Sequence, residues 1–270
     1  MTRLAVVLTA LVLVPAASAA YPAPYAVQGP DVVLTSLDGS VEYTALKDGG
    51  NTRIVASHTV GGATIMSTVI AGAYGIPGVT QSGLTGGLFH DGSAFVLQQV
   101  GLAATSHLAI VRTADLSVAK RVDLKGTFGF DALSPDGSTL YLIQHTSSQD
   151  IEHYVVRDYD LAAGRLLPGR VADKTQKSWI MQGWAVARAT TASGRWAYTL
   201  YQNPGGYPFV HALDTVRGVA HCVGLPWTAS NQDPVSQFTL AVKGSRLLVR
   251  FGDGLVWRNV DLRTWQVSRP

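Results

Sequence analysis

Ala132-Leu133-Ser134-Pro135-Asp136-Gly137-Ser138-Thr139-Leu140-Tyr141-Leu142 is the stretch whose reading decides the fold. An apolar segment runs into Ser-Pro-Asp-Gly-Ser, and a Leu- and Tyr-rich segment leaves it. That is a tight β-hairpin: Gly supplies positive φ, while Asp and Ser face water and bond the turn backbone. Four further turns of this kind lie between apolar runs. They are Leu37-Asp38-Gly39-Ser40, His90-Asp91-Gly92-Ser93, Ala192-Ser193-Gly194-Arg195 and Lys243-Gly244-Ser245-Arg246. The five glycines, at 39, 92, 137, 194 and 244, are spaced by 53, 45, 57 and 50 residues. A four-stranded propeller blade takes roughly 40–50 residues, so the period predicts an all-β fold, a β-propeller of five four-stranded blades.

A second mark recurs after each of the later turns. Asp115, Asp160, Asp214 and Asp261 each follow an apolar run, 17 to 23 residues beyond the preceding turn glycine. That spacing leaves room for strand, loop and strand before a second hairpin, where an Asp accepts backbone N–H groups. The first unit has Thr59-Val60-Gly61-Gly62 at this place instead. Blades are expected at about 32–70, 84–124, 128–171, 184–225 and 238–267. Ala71 to Gly83 is read as a connection, and Tyr21 to Pro30 as an extended lead that packs on the last blade or trails.

Arg3, the apolar run Leu4–Val14 and the small residues Ala17-Ser18-Ala19 describe a secretory signal peptide over 1–20. Its apolar core would span only about half of a bilayer, so no stable membrane span is expected after signal removal. The expectation is an exported protein, secreted or in the cell envelope, with a single propeller domain over 21–270. A formal charge of +3 without any Lys/Arg run gives no phosphate-tracking surface, which excludes a nucleic-acid partner. Cys222 is the single cysteine, so no internal disulfide forms, and its apolar neighbours indicate a buried thiol.

The string from Ala132 to Leu142 resembles the repeat signature of exported bacterial YVTN-type and TolB-type β-propeller proteins. In those families a Ser-Pro-Asp-Gly turn links the innermost strand of a blade to the next. The resemblance covers the third repeat well and the second through His90-Asp91-Gly92-Ser93. It implies an exported binding or assembly protein, with lactonase activity known among related propellers. The motif itself contains no catalytic residue.

Candidate site residues therefore come from geometry. Inter-blade connections and the loops between second and third strands build the rim where a propeller usually meets its ligand. Trp179, Trp184, Tyr207 and Trp227 fall in these segments, beside Asn203, Asn231 and Gln232. Such rings stack on a sugar or anchor a protein partner, and they equally fill corners between blades. Asp31, Asp131 and Asp233 stand where inner strands begin. Converging at a channel mouth, they would supply the acid and base of a carbohydrate- or lactone-active hydrolase. As strand-edge acceptors of backbone N–H groups they would be structural.

His145, Asp150, Glu152 and His153 form the best local donor group, but their loop lacks the compact spacing of a zinc site, so no metal is expected. No Gly-rich segment leads into a helix, so no nucleotide or other cofactor is expected. The leading expectation is a binding or assembly module for an envelope or extracellular protein, or for a glycan. The hydrolase is the alternative, and whether the protein is an enzyme stays open at this level.

Overall fold

Each long turn is closed by the same backbone bond. In the computed structural model, which describes residues 25–176, 180–203, 206–226, 237–252 and 254–270, Gly39, Gly92, Gly137 and Gly194 donate to Ser36, Phe89, Ser134 and Thr191 at 2.8–2.9 Å. Their φ values lie between 68° and 73°. Asp38, Asp91 and Asp136 accept the N–H of Ser40, Ser93 and Ser138. The Ser36 and Ser40 hydroxyls with the Ser40 amide draw the Asp38 carboxyl down to about 2. The fifth turn differs: Lys243 pairs directly with Arg246, leaving only Gly244 and Ser245 as the loop.

The described chain contains 22 strands and no α-helix. A short strand β1 (Tyr25–Val27) precedes the first sheet, which is β2 (Val33–Thr35), β3 (Val41–Asp48), β4 (Asn51–His58) and β5 (Thr64–Ile70). The second sheet holds β6 (Tyr74–Gly78), β7 (Ala94–Gln99), β8 (Thr105–Arg112) and β9 (Val118–Lys125), with β1 added beside β6. The third holds β10 (Phe128–Leu133), β11 (Thr139–His145), β12 (His153–Asp160) and β13 (Arg165–Leu166), with β14 (Met181–Gln182) also pairing β12. The fourth is β15 (Trp184–Thr190), β16 (Trp196–Gln202), β17 (Phe209–Asp214) and β18 (Val219–Gly224). The fifth is β19 (Thr239–Lys243), β20 (Arg246–Arg250), β21 (Val256–Asp261) and β22 (Val267–Ser268). Every strand pair is antiparallel, in up-and-down order.

Apolar clusters join neighbouring sheets. Tyr43 and Ile54 meet Phe95 between the first and second, and Leu108 meets Leu140 between the second and third. Ile143 meets Ala185 between the third and fourth, and Leu200 meets Leu247 between the fourth and fifth. Among the described residues no such cluster joins the fifth sheet to the first. The long turns share one rim. Leu37 lies within reach of Gly92, the Phe89 ring covers Gly137, and His90 with Pro135 covers Gly194.

Two local readings are corrected by the structure. The second sheet starts at Tyr74 rather than Leu84, because Tyr74-Gly75-Ile76-Pro77-Gly78 is a strand. Its Gly and Pro content reads as loop, yet a side chain at Gly75 would collide with the Val27 backbone at 2.5–2.7 Å. The glycine is there to let β1 lie close. By the same pairing the N-terminal lead adds to the second sheet, at Tyr25↔Gly78 and Val27↔Ile76, and neither trails nor packs as an extra strand on the last. The recurring aspartates behave as expected: a carboxylate oxygen of Asp160, Asp214 and Asp261 accepts a turn N–H, from Ala163, Val216 and Arg263 respectively. Asp115 likewise accepts the Ser117 N–H at 2.9 Å, although the corner carbonyl of the second sheet is that of Arg112.

Residues 76–87 form an excursion inserted between two pairings of one inner strand with β7. Tyr74 and Gly75 pair with Gln99 and Gln98, and Leu88 then pairs with Phe95. The excursion crosses to the fourth sheet, where the Gln81 N–H donates to the Ala185 carbonyl at 2.8 Å. The segment expected to be a signal peptide, together with Trp179, Trp227, Asn231, Gln232 and Asp233, lies outside the described residues.

Candidate functional site

Counting three residues back from the first residue of the second, third and fourth long turns gives Gly86 in the excursion, Asp131 in β10 and Arg188 in β15. All three line one cavity of about 470 Å³ on the turn side of the sheets. Asp131 sits at a bulge in β10, between Phe130, opposite Leu142, and Ala132, opposite Tyr141. A bulge re-aims a side chain at the expense of one ladder position. Here it accompanies a carboxylate that meets the fourth sheet.

Arg188 is the partner. Its Nη2 donates to Asp131 Oδ1, its Nη1 to the Asp131 carbonyl, and its Nε to Thr199 Oγ1 at 3.0 Å. The two side chains are only 8% and 3% exposed, so the pair is a buried ion pair that bridges two sheets. Behind it lie His211, Tyr201 and Cys222, all on or beside the interface of the third and fourth sheets. Burial pushes the His211 imidazole down to about 4, with Asp131 opposing and Arg188 reinforcing the shift. His211 Nδ1 faces the Cys222 sulfur at 3.6 Å, and its Nε2 has no hydrogen-bond partner. Burial, aided by the Asp173 charge, pushes the Cys222 thiol up to about 12. A thiol held so high is not a nucleophile near neutrality. Asp173 is raised by burial, but bonds from the Cys222 and Thr175 amides outweigh that and hold it below the usual range.

The sequence-derived candidates separate. Asp131 is buried in the cavity wall, while Asp31 is exposed and lies outside that wall. Trp184 is half-buried at the start of β15, opposite Gln202. Tyr207 is 62% exposed and lines a separate groove of about 720 Å³ with Pro226, Arg258 and Arg269. The Arg258 guanidinium stacks on Trp257 at 4.1 Å, and burial beside the like-charged Arg269 lowers its pKa.

His145 is buried with Nδ1 3.0 Å from the Ile151 carbonyl, and His153 pairs with Asp150 at 2.9 Å. Among the described residues no three His, Cys, Asp or Glu side chains come together to hold a metal. The residue missed by sequence reading is Arg188. Its only signal was its register, three places before a turn, in a strand that otherwise reads as apolar.

No protein-family model matches the chain, and no curated protein sequence matches it. Solved structures do. The Dos1 propeller is similar over 87% of this chain and 57% of its own, at 12% identity and a TM-score of 0.51. A protein described as a putative 6-phosphogluconolactonase from Bacteroides uniformis is similar over 88% of this chain and 68% of its own, at 17% identity and a TM-score of 0.51. TolB from Acinetobacter baumannii is similar over 82% of this chain at 15% identity, with a TM-score of 0.44. This chain spans 52% of TolB and 57% of the Dos1 chain. At these identities the likeness shows the fold alone, a β-propeller.

Proposed function

We propose that the chain is an exported five-bladed propeller serving as a binding or assembly module for an envelope or extracellular protein, or a glycan. One propeller domain over 21–270, preceded by a cleaved signal, is part of this reading. It rests for export on the Arg3-to-Ala20 pattern. The observation that carries the binding function is Tyr207, an aromatic ring left 62% exposed in a groove with two arginines. An exposed ring beside guanidinium groups offers stacking and directed donors together, the combination enriched at binding hot spots. Trp184 stands on the same fourth sheet, and Trp179 and Trp227 belong to the same proposed rim.

The hydrolase alternative needs two facing carboxylates beside an open pocket. Among the described residues, Asp131 is tied to Arg188 and Asp31 is exposed away from that cavity; Asp233, the third acid of that reading, lies outside them. Binding is therefore the better reading.

A glycan array and an envelope-extract pull-down with the mature protein test it. Tyr207→Ala should weaken the captured interaction about tenfold or more while the melting temperature stays within about a degree, since the residue is exposed. Capture by Tyr207→Ala at wild-type strength, or hydrolysis of a glycoside or lactone abolished by Asp131→Asn, would overturn the reading.

A further inference from the structure

The cavity on the turn rim is separate from the Tyr207 groove and has its own chemistry. Its volume of about 470 Å³ falls in the range of small-ligand pockets, roughly 300–1,000 Å³. The walls are mainly apolar, from Val79, Leu88, Phe89, Phe130 and Leu133. Leu37 and Leu84 stand at its opening 62% and 45% exposed, which leaves an apolar mouth uncovered. The excursion that supplies Val79 and Leu84 is anchored across the sheets by the Gln81–Ala185 bond, so this wall is held in place.

The polar groups in the depth of the lining are nearly all committed to the frame, while His90 and Thr190 are exposed at its edge. Thr85 Oγ1 donates to the Val33 carbonyl at 3.0 Å. Ser134 Oγ donates to Asp136 at 2.6 Å, and Thr215 Oγ1 to the Gly194 carbonyl at 2.8 Å. All three guanidinium nitrogens of Arg188 are engaged. Among the described residues, Asp131 Oδ2 receives no hydrogen bond, although Oδ1 does. The ion pair is neutral as a unit, so a charged guest would enter a largely apolar space with no net countercharge.

We propose that this cavity is a binding site for a small, uncharged, largely apolar molecule that carries one hydrogen-bond donor. The hydroxyl or amide N–H donates to Asp131 Oδ2, and the apolar body packs against Phe89, Phe130 and Leu133. Ligand charge of either sign is selected against, because Asp131 and Arg188 already neutralise each other.

Calorimetric titration of the full chain with 2-naphthol, naphthalene and 2-naphthoate tests this. The expected result is one saturable site for 2-naphthol, at least about tenfold weaker binding of naphthalene, and no binding of 2-naphthoate, since hydrogen bonds to charged groups carry that much. Thr190→Trp places a bulky side chain at the exposed edge of the cavity and should abolish 2-naphthol binding. Asp131→Asn, if folded, should bring 2-naphthol and naphthalene to similar affinity. Absence of 2-naphthol binding to the wild type, equal affinity for 2-naphthol and naphthalene, preference for 2-naphthoate, or unchanged binding by Thr190→Trp would each overturn the proposal.

Discussion

The two faces of the third sheet make a natural contrast, because the same strands build both. Along β11, Leu140 and Leu142 face the second sheet, and Tyr141 and Ile143 face the fourth. Side chains alternate along a strand, so one segment of sequence serves two interfaces. Toward the second sheet the packing is mainly apolar, with Val96, Leu108, Val122 and Phe128. The hydrogen bonds that cross it, from the Phe130 N–H to Gln98 and the Phe128 N–H to Ser106, are between neutral groups. Toward the fourth the packing holds the Asp131–Arg188 pair, the three buried tyrosines Tyr141, Tyr154 and Tyr201, and His211. An apolar interface tolerates small shifts in position, since its attraction is non-directional. A buried ion pair does not, because its Coulomb gain offsets desolvation only while the geometry holds. The polar face therefore sets the angle between two sheets more strictly than the apolar face does.

Breaking the polar face should have the largest effect. Arg188→Leu strands the Asp131 carboxylate in a buried wall and should cost about 3–5 kcal/mol in urea unfolding. The double variant Asp131→Leu/Arg188→Leu should regain most of that. Failure of the double variant to recover would show that the pair acts through more than its charge. On the apolar face, Leu142→Ala empties a fully buried site and should cost about 2–5 kcal/mol, with no rescue by any single charge change.

Acid distinguishes the two faces in another way. The folded His211 pKa, about 4, lies below its unfolded value, so the folded state disfavours the protonated form. The stability that neutral His211 preserves is therefore fully present above roughly pH 6.5 and lost as pH falls from there through about 4. Wild type should lose about 3 kcal/mol more than His211→Asn over that window, read as the difference between their pH–stability curves. Parallel curves would mean the imidazole is not desolvated as the structure has it.

The smallest expected effects separate two turns of identical sequence type. Gly39→Ala places its methyl in open space and should cost about 1–2 kcal/mol for the left-handed backbone alone. Gly137→Ala carries the same backbone cost and also drives a methyl into the Phe89 ring, 2.7 Å away. Its melting temperature should fall further than that of Gly39→Ala. Equal losses would show that the Phe89 ring yields freely.

Several of these features were legible before any coordinates. The Ser134-to-Ser138 turn and its copies announce themselves because a local conformation, positive φ at Gly with an Asp or Ser to cap it, depends on residues two or three apart. The third and fourth sheets fall where alternation and turn spacing place them. The second sheet's first strand escaped notice for an equally physical reason. Gly75 and Gly78 are selected by the nearness of Val27 and Tyr25, about fifty residues earlier in the chain, and a loop-like composition conceals that contact. Asp131 stood out as an acid near an inner strand, but its partner did not. Arg188 becomes meaningful only when β10 and β15 are side by side.

The chain alone therefore determined the hairpins, their period and the propeller that follows, since turn chemistry and strand alternation act over a few residues. Tertiary structure alone decided that β1 joins the second sheet, that residues 76–87 reach the fourth, and that Asp131 is held by Arg188. Those outcomes depend on which distant surfaces meet, and pairing energies between distant residues leave no periodic trace in a sequence.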